Sequence, residues 1–235
     1  MDRTPKVAAV IVAAGNSTRM ASGISKQLIP LCGVPVIAHT LMAFEKAHSI
    51  YEIVVVARES DMRSIEELSK NYGISKLKGI VTGGSLRSDS VKNGVIATSQ
   101  DIDYVAIHDG ARPLILPEAI DRASSSALVH KAVALMVPVT DTIKVVDSKG
   151  VIVGTPERKT LRAAQTPQIF EKTLYMEALE KTKSAGIEFT DDCALVEYIG
   201  AEVFSVDGDY TNIKLTTPSD VGIAENILKS RGEYK

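Results

Sequence analysis

The sequence contains no tryptophan, and aromatic residues make up only 5% of its 235 residues. Because 45% of the chain is nevertheless hydrophobic, its core must be built mainly from Ala, Val, Ile and Leu. No apolar run reaches the length of a membrane-spanning helix. The first apolar run is also too short to be the hydrophobic region of a secretory signal followed by its cleavage site. We therefore expect a cytoplasmic protein that does not bind membranes.

Cysteine and histidine are scarce as well, with two and four copies respectively. Cys32 and Cys193 lie far apart, and neither belongs to a Cys-x-x-Cys pair. The cysteines and histidines together show no spacing typical of metal ligands. No Ser/His/Asp or Cys/His arrangement for nucleophilic catalysis is visible either. We expect both thiols to be small, reduced core residues.

The chain also lacks a strong excess of charge of either sign, since its formal net charge is −2. This balance argues against a general nucleic-acid binder, so any anion site must come from local clustering of cations. Two common nucleotide motifs are missing. The opening strand is not followed by Gly-x-Gly-x-x-Gly, and Gly-x-x-x-x-Gly-Lys-Ser/Thr does not occur, which weakens dehydrogenase and P-loop interpretations.

What the sequence does contain is a regular alternation of strand and helix patterns over its first 138 residues. The opening run KVAAVIVAAG, residues 6–15, predicts a strand that is buried on both faces. Further strands are predicted at residues 51–57, 78–82, 104–108 and 132–137, with helices between them. This order indicates an α/β fold with a mainly parallel sheet flanked by helices.

Three loops follow strands of this predicted sheet, beginning at Gly15, Gly83 and Asp109. The carboxyl ends of parallel strands share one edge, where such sheets bind ligands. The first loop carries two cations, Arg19 and Lys26, as a phosphate site would require. The sequence thus predicts an anion site at this edge.

Residues 141–155 have a different pattern, in which two apolar strands flank the turn at residues 147–150 and form a β-hairpin. An isolated ribbon this apolar has to pack against something. It either folds back on its own domain or clasps a second subunit, and the second arrangement is favoured. Near the end of the chain, residues 212–215 predict a short strand, and Thr217, Pro218 and Asp220 predict the start of the last helix. The chain is interpreted as one domain, residues 1–235, with a dimerisation arm at about 139–165.

Six motifs, in order along the chain, resemble those of the 2-C-methyl-D-erythritol 4-phosphate cytidylyltransferases of non-mevalonate isoprenoid biosynthesis. They contain Gly15 with Arg19 and Lys26; Gly83, Gly84, Arg87 and Ser90; His108 to Pro113; Gln165 to Gln168; Thr190 and Asp191; and Asn212 to Lys214. The resemblance implies a Rossmann-like nucleotidyltransferase sheet, CTP and a polyol phosphate as substrates, and Mg²⁺ or another divalent cation. It also implies a homodimer in which the hairpin arm reaches the partner's active site.

The resemblance also implies a role for individual residues. Those matching the triphosphate and transition-state positions are Arg19, Lys26 and Lys214, with Arg158 from the arm. Those matching the cytidine pocket are Ala13, Ala14, Gly15, Gly84, Ser85 and Ser90. Those matching the methylerythritol phosphate site are Asp109, Arg112, Thr142, Arg158, Thr166 and Thr190, with Thr142 and Arg158 supplied by the partner and Asp109 also the candidate metal ligand.

Two positions depart from the family pattern, because Ser85 replaces an acidic residue and Gly110 an alanine found in many relatives. Simpler roles are open for other residues: His108 as a structural hydrogen-bonding group, Asp109 as a turn cap and Thr190 as a helix N-cap. Two alternative functions remain, a ribitol 5-phosphate cytidylyltransferase and a non-catalytic nucleotide-binding module. The opening loop, Val-Ala-Ala-Gly at residues 12–15, favours the methylerythritol enzyme over its ribitol-using sisters.

Overall fold

The computed structural model describes residues 4–15, 25–182 and 189–232. Arg19 lies outside these residues. The strands are β1 (Val7–Val12), β2 (Pro30–Leu31), β3 (Val34–Pro35), β4 (Ile50–Ala57), β5 (Leu77–Thr82), β6 (Tyr104–Asp109), β7 (Ala132–Pro138), β8 (Val145–Val146), β9 (Ile152–Gly154), β10 (Arg162–Glu171) and β11 (Phe204–Asp207). The helices are α1 (Val36–Lys46), α2 (Glu59–Asn71), α3 (Arg87–Ile96), α4 (Pro117–His130), α5 (Lys172–Thr182), α6 (Asp192–Tyr198) and α7 (Pro218–Ser230), with 3₁₀ turns at Lys26–Leu28 and Arg158–Thr160.

Within these described ranges, seven strands form one sheet in the order β11-β7-β10-β6-β1-β4-β5. Strand β1 pairs in parallel with β4 and β6, β4 with β5, and β7 with β11. Only β10, among the strands of this sheet, runs antiparallel to its neighbours β6 and β7. The predicted α/β class with a mainly parallel sheet is confirmed.

Strand β1 is buried on both faces of the sheet, as its unbroken apolar run predicts. Ala9 and Ile11 face the hydrophobic cluster beneath α1 and α4, whereas Ala8 and Val10 face the cluster that includes α3 and α5. All four side chains have no solvent exposure. The alternation follows from the two-residue period of a strand. Because β1 lies between β6 and β4, its carboxyl end is in the interior of the sheet edge.

Strand β10 was not predicted from the sequence. Its polar stretch Gln165 to Gln168 contains Pro167, which lacks a donor for a sheet hydrogen bond and argues against a central strand. The structure accommodates the proline because the pairing of β10 with β7 is interrupted between Ala164 and Gln168. The polar motif therefore lies inside the sheet, next to β6.

The predicted short strand at residues 212–215 is wrong. This segment is irregular, and the amide of Leu215 donates to the carbonyl oxygen of Ala111 at 2.8 Å. The predicted start of the last helix is confirmed, because α7 begins at Pro218 and Asp220 accepts a hydrogen bond from the amide of Thr217 at 2.7 Å. The 212–215 segment thus reaches the end of β6 as a loop.

The predicted hairpin is present, with strands shorter than expected. Strands β8 and β9 pair antiparallel, and the turn is closed by a hydrogen bond from the amide of Gly150 to the carbonyl of Asp147 at 3.0 Å. Five apolar side chains of the hairpin are about half exposed; they are Val145, Val146, Val151, Ile152 and Val153. Among the described helices, none has both the length and the apolarity to cross a membrane.

The packing of α3 on the sheet depends on Gly94. A Cβ atom at this position would lie 2.4 Å from Cγ1 of Val10 and 2.7 Å from Cγ2 of Val56. We expect Gly94→Ala to lower the free energy of unfolding by about 1–3 kcal/mol through overpacking. Gly222, on α7, has open space around the same position, so Gly222→Ala is a matched control that should stabilise the protein by up to about 1 kcal/mol. Urea unfolding of both variants measures the difference, and equal effects would contradict this packing.

Candidate active site

The three predicted loops meet at the carboxyl edge of the sheet. The amide of Gly110, which follows β6, donates to the carbonyl of Val12 at 2.9 Å. A Cβ atom on Gly83 would lie 2.4 Å from the Cβ of Ala14, so the loop after β5 approaches the loop after β1 at a point where only glycine fits. The convergence predicted from strand order alone is present in the structure.

Residues 83–86, here called the Gly83 loop, are held by side chains from the start of α3. The Ser90 hydroxyl accepts from the amide of Gly84 at 3.0 Å and donates to the carbonyl of Leu86 at 3.1 Å. Asp89 accepts from the Ser85 hydroxyl at 3.0 Å and from the Leu86 amide at 3.2 Å. Ser90 therefore shapes this loop, and exposed Ser85 has a carboxylate beside it although it is not acidic itself.

Asp109, the last residue of β6, is surrounded by three cations. Its Oδ2 atom lies 2.8 Å from Nζ of Lys214 and 3.6 Å from Nε of Arg112, and its Oδ1 atom lies 3.9 Å from Nη2 of Arg87. Burial alone would raise the pKa of Asp109, but Lys214, Arg87 and Arg112 together lower that pKa to about 2. The carboxylate is therefore ionised at neutral pH and holds cations from three chain segments at one point.

Two polar contacts hold the 212–215 segment in place beside Asp109. Nη1 of Arg112 donates to the carbonyl of Asn212 at 2.8 Å, and Nδ2 of Asn212 donates to the carbonyl of Thr166 at 3.0 Å. Asn212 is almost completely buried, at 1% exposure. These contacts explain how Lys214 reaches Asp109 from a segment that has no regular secondary structure.

His108 is a structural residue here, because both of its ring nitrogens have fixed partners. The Thr166 hydroxyl accepts from the amide of Asp109 at 3.1 Å and lies 3.0 Å from Nδ1 of His108. Nε2 lies 3.2 Å from the carbonyl oxygen of Arg112, which can only accept, so Nε2 carries the proton and the Thr166 hydroxyl donates to Nδ1. Complete burial lowers the pKa of His108 to about 4. The imidazole is therefore neutral at pH 7.

Arg87 and Asp192 form a second ion pair at this edge that sequence reasoning missed. Nη2 of Arg87 lies 2.7 Å from Oδ2 of Asp192, whose side chain is only 2% exposed. The Tyr175 hydroxyl donates to Oδ1 of the same carboxylate at 2.7 Å. Burial and the neighbouring Asp192 raise the pKa of Tyr175 well above its usual range. Arg87 could have been found from the sequence, because it stands in one of the six motifs. Asp192 could not, because an acidic residue in the first turn of a helix is common.

The segment containing Lys26 lies beside the same edge. The neighbouring Gln27 is 2% exposed, and its Oε1 atom would lie 3.2 Å from a Cβ atom on Gly110. Ala13 is equally close to that point. Hence the 3₁₀ turn at Lys26–Leu28 packs against the loops that follow β1 and β6. Arg19, the other predicted cation of this segment, lies outside the described residues.

Thr190 is not the N-cap of the helix that follows it. The cap of α6 is Asp191, whose side chain accepts from the amide of Ala194 at 2.9 Å. Nε2 of Gln168 donates to Oδ2 of Asp191 at 3.0 Å, which holds the Asp191 carboxylate in the capping position. Thr190 is exposed, and its hydroxyl is therefore not required to cap the helix.

Thr142 and Arg158 lie on the segment between β7 and β10, away from the cluster around Asp109. Arg158 donates to the carbonyl of Thr140 at 2.9 Å, and Thr142 is exposed. Among the described residues, no hydrogen bond or ion pair joins either of them to Asp109, Arg112 or Lys214 of the same chain. Of the predicted site residues in the described part of the chain, Thr142 and Arg158 are thus not joined to this cluster by their own chain.

A mainly parallel sheet that gathers cations at its carboxyl edge is the arrangement of enzymes that handle phosphorylated ligands. Comparison with known proteins defines the class more narrowly. The family model described as 2-C-methyl-D-erythritol 4-phosphate cytidylyltransferase matches residues 7–230. The chain belongs to this family of nucleotidyltransferases.

Individual relatives agree with the family match over almost the entire chain. A protein of this name from Caldanaerobacter subterraneus is 46% identical over 225 residues, which are 95% of this chain and 99% of the relative. One from Shouchella clausii is 43% identical, covering 95% and 97%. The solved 4-diphosphocytidyl-2C-methyl-D-erythritol synthase from Anaerococcus prevotii superposes with a TM-score of 0.87 at 30% identity, covering 96% of this chain and 99% of that one.

The neutral state of His108 predicts how the stability of the fold depends on pH. Its pKa of about 4 in the folded chain is below the ordinary value of 6.5, so the unfolded chain takes up the proton first as the pH falls. The contribution of His108 is complete above pH 6.5 and is lost as the pH falls toward 4, by up to about 3 kcal/mol. We expect His108→Gln to lose less stability than the wild-type chain between pH 7 and pH 5 in urea unfolding. Equal losses, or an imidazole NMR signal of His108 that titrates near pH 6.5, would contradict the assignment.

Proposed function

We propose that the chain transfers CMP from CTP to 2-C-methyl-D-erythritol 4-phosphate, forming 4-diphosphocytidyl-2-C-methyl-D-erythritol and releasing pyrophosphate. The observation that carries this proposal is the cluster of Arg87, Arg112 and Lys214 around Asp109 at the ligand edge of the sheet. The family match over residues 7–230 supplies the substrates. This reaction is one step of isoprenoid precursor synthesis.

The reaction requires no general base from the protein. The nucleophile is an oxygen of the acceptor's phosphate monoester, whose second pKa is about 6, so it is already ionised at pH 7. It attacks the α-phosphorus of CTP, and pyrophosphate leaves with the electrons of the broken P–O bond. His108 supports this reading because both of its nitrogens are hydrogen-bonded within the framework. Charge neutralisation and in-line positioning are the protein's contribution.

The cations divide between the two substrates in this proposal. Arg19, Lys26 and Lys214 hold the triphosphate and stabilise the charge that develops on it, while Arg112 and Asp109 hold the acceptor. The backbone of residues 13–15 and the Gly83 loop receive the cytidine. The ion pair between Lys214 and Asp109 at 2.8 Å joins the two subsites, because each partner is assigned to a different substrate.

Magnesium fits this edge as an ion bound mainly by the substrate. Among the described residues there is no group of three or more His, Cys, Asp or Glu side chains that could hold a metal. Asp109 is ionised, and its Oδ1 atom lies 3.9 Å from Arg87, beyond hydrogen-bond distance, so that oxygen can accept from a metal-bound water. Mg²⁺ commonly combines one or two carboxylates with substrate phosphates and water. When bound, it would supply positive charge to the triphosphate.

A substrate comparison tests the proposed reaction. We expect pyrophosphate release with CTP, Mg²⁺ and 2-C-methyl-D-erythritol 4-phosphate, and a kcat/KM at least about a hundredfold lower with ribitol 5-phosphate, because the shape and hydroxyl contacts of the acceptor differ. Removing the metal with EDTA should stop the reaction, and added Mg²⁺ should restore it. Preference for ribitol 5-phosphate would refute the acceptor assignment. Turnover in EDTA would refute the role of the metal.

We further propose that the chain is a homodimer in which the hairpin arm completes the partner's acceptor site. Support comes from the apolar side chains of the hairpin, such as Val146 and Ile152, which are 56% and 59% exposed. Exposure of this apolar surface to water is unfavourable, and a second subunit would bury it. Thr142 and Arg158 lie on the same segment, and among the described residues no hydrogen bond or ion pair joins them to the Asp109 cluster of their own chain. In a dimer, Thr142 and Arg158 would instead contribute to the acceptor site of the partner subunit.

Complementation between inactive subunits tests the shared site. Lys26→Ala removes a triphosphate cation and Arg158→Ala removes the arm's contribution, so each homodimer should lose on the order of a hundredfold or more in turnover. A purified heterodimer of the two contains one site with both defects and one intact site. We expect it to recover about half of the wild-type activity, as the dimer symmetry requires.

The matched control combines Lys26→Ala with Lys214→Ala, two changes in the part of the site that a single subunit supplies. Every site of that heterodimer carries one defect, so its activity should stay at the level of the inactive parents. Rescue in the control, or none in the heterodimer of Lys26→Ala and Arg158→Ala, would show that the arm does not serve the partner's site.

A further inference from the structure

Arg87 occupies the junction between the Gly83 loop and α3. It is the first residue of α3 and follows Leu86, the last residue of the loop, directly. Its side chain is about one-third exposed, and its Nη2 atom is the nitrogen nearest to each of two carboxylates. The position of this nitrogen is therefore tied to the position of the loop that precedes it.

The nearer of the two carboxylates, Asp192, belongs to a rigid part of the molecule. The Tyr175 hydroxyl donates to its Oδ1 atom at 2.7 Å, and its backbone amide donates to Oε1 of Gln168 at 3.1 Å. Tyr175 is fully buried on α5, and Gln168 is 2% exposed in β10. Asp192 is thus held from two elements that do not include α3, and it offers Arg87 a fixed anchor.

Arg87 is in turn the charge that makes buried Asp192 tolerable. A buried carboxylate without a cation is costly, and breaking such a pair by removing one partner is strongly destabilising. Burial opposes the charge of Arg87, but the neighbouring Asp192 raises the pKa of Arg87 above its usual range, so the guanidinium stays charged at any physiological pH. If the start of α3 moved away from Asp192, the buried carboxylate would lose its cation, which is energetically unfavourable.

The second carboxylate is Asp109, where Arg87 and Lys214 lie nearest to different oxygens. Oδ1 of Asp109 lies 3.9 Å from Nη2 of Arg87, whereas Oδ2 lies 2.8 Å from Nζ of Lys214. Although 3.9 Å is beyond hydrogen-bond distance, the charge of Arg87 beside Oδ1 and that of Lys214 beside Oδ2 together favour this orientation of the carboxylate. Arg87 is therefore the one side chain among the described residues that links the Gly83 loop both to Asp109 and to the segment after Thr190.

From these contacts we propose that Arg87 is a positioning residue that fixes the nucleotide subsite relative to the acceptor subsite. It anchors the Gly83 loop to Asp192 and sets the orientation of the Asp109 carboxylate. The inference rests on the proposed function, which assigns cytidine to the loop and the acceptor to Arg112 and Asp109. Loss of Arg87 should therefore weaken the binding of both substrates, through the displaced loop and the reoriented Asp109.

The double variant Arg87→Gln with Asp192→Asn separates positioning from simple stability. Arg87→Gln alone leaves a buried charge and should lower the melting temperature, whereas the double variant removes both charges and should recover most of that loss. We expect the KM values for CTP and for the acceptor to remain raised together in the double variant, by roughly tenfold or more, since small misplacements of binding groups are costly. The matched control is Lys92→Gln, which removes the exposed pair between Lys92 and Glu180 on the same helix and should leave both KM values unchanged.

Wild-type KM values in the double variant would overturn the proposal and reduce the pair to a structural ion pair. Arg87→Lys keeps a cation for Asp192 on a shorter side chain, and here we expect retained stability with a severalfold higher KM for the acceptor. A wild-type KM in this variant would also overturn the proposal. Failure of the proposed function is distinguishable, because the wild-type enzyme would then release no pyrophosphate from CTP with the methylerythritol acceptor, and this inference would fail with it.

Discussion

The candidate active site depends on one interaction, the attraction between the ionised Asp109 and the cations around it. Lys214, Arg112 and Arg87 come from distant parts of the chain, and without a carboxylate between them their positive charges would repel one another. The pKa of about 2 keeps Asp109 charged at neutral pH. This carboxylate therefore sets the geometry in which two anionic substrates are proposed to meet.

A neutral, hydrogen-bonded framework supports this charged cluster. His108, Thr166 and the backbone of Asp109 and Arg112 are joined by hydrogen bonds in which Nε2 of His108 donates, Nδ1 accepts, and the Thr166 hydroxyl does both. Because His108 is uncharged, the framework adds no further cation and needs no solvent. The same network excludes the histidine as a general base, which agrees with a reaction whose nucleophile is already ionised. The neutral residues His108 and Thr166 thus support the site, while the charged residues around Asp109 form the surface that is proposed to face the substrates.

The sequence predicted the apolar strand β1 correctly but did not predict the polar strand β10. Strand β1 and the three loops at the sheet edge were correctly predicted, since an unbroken apolar run and the alternation of strands and helices are local signals. Strand β10 was missed because Pro167 and its polar neighbours hide a strand that lies within the sheet. The cap of α6 was assigned to Thr190 instead of Asp191, because a threonine and an aspartate satisfy the same local rule.

The sequence by itself determined which residues are available for phosphate chemistry, since Lys26, Asp109, Arg112 and Lys214 stand in motifs that local patterns and family resemblance reveal. Only the tertiary structure decided how they combine. It showed that Lys214 and Asp109 form an ion pair across about a hundred residues of chain. It also showed that a buried Asp192 requires Arg87 as its partner. The physical reason is that burial and pairing of charges are properties of packing between distant segments, and no pattern within one segment records them.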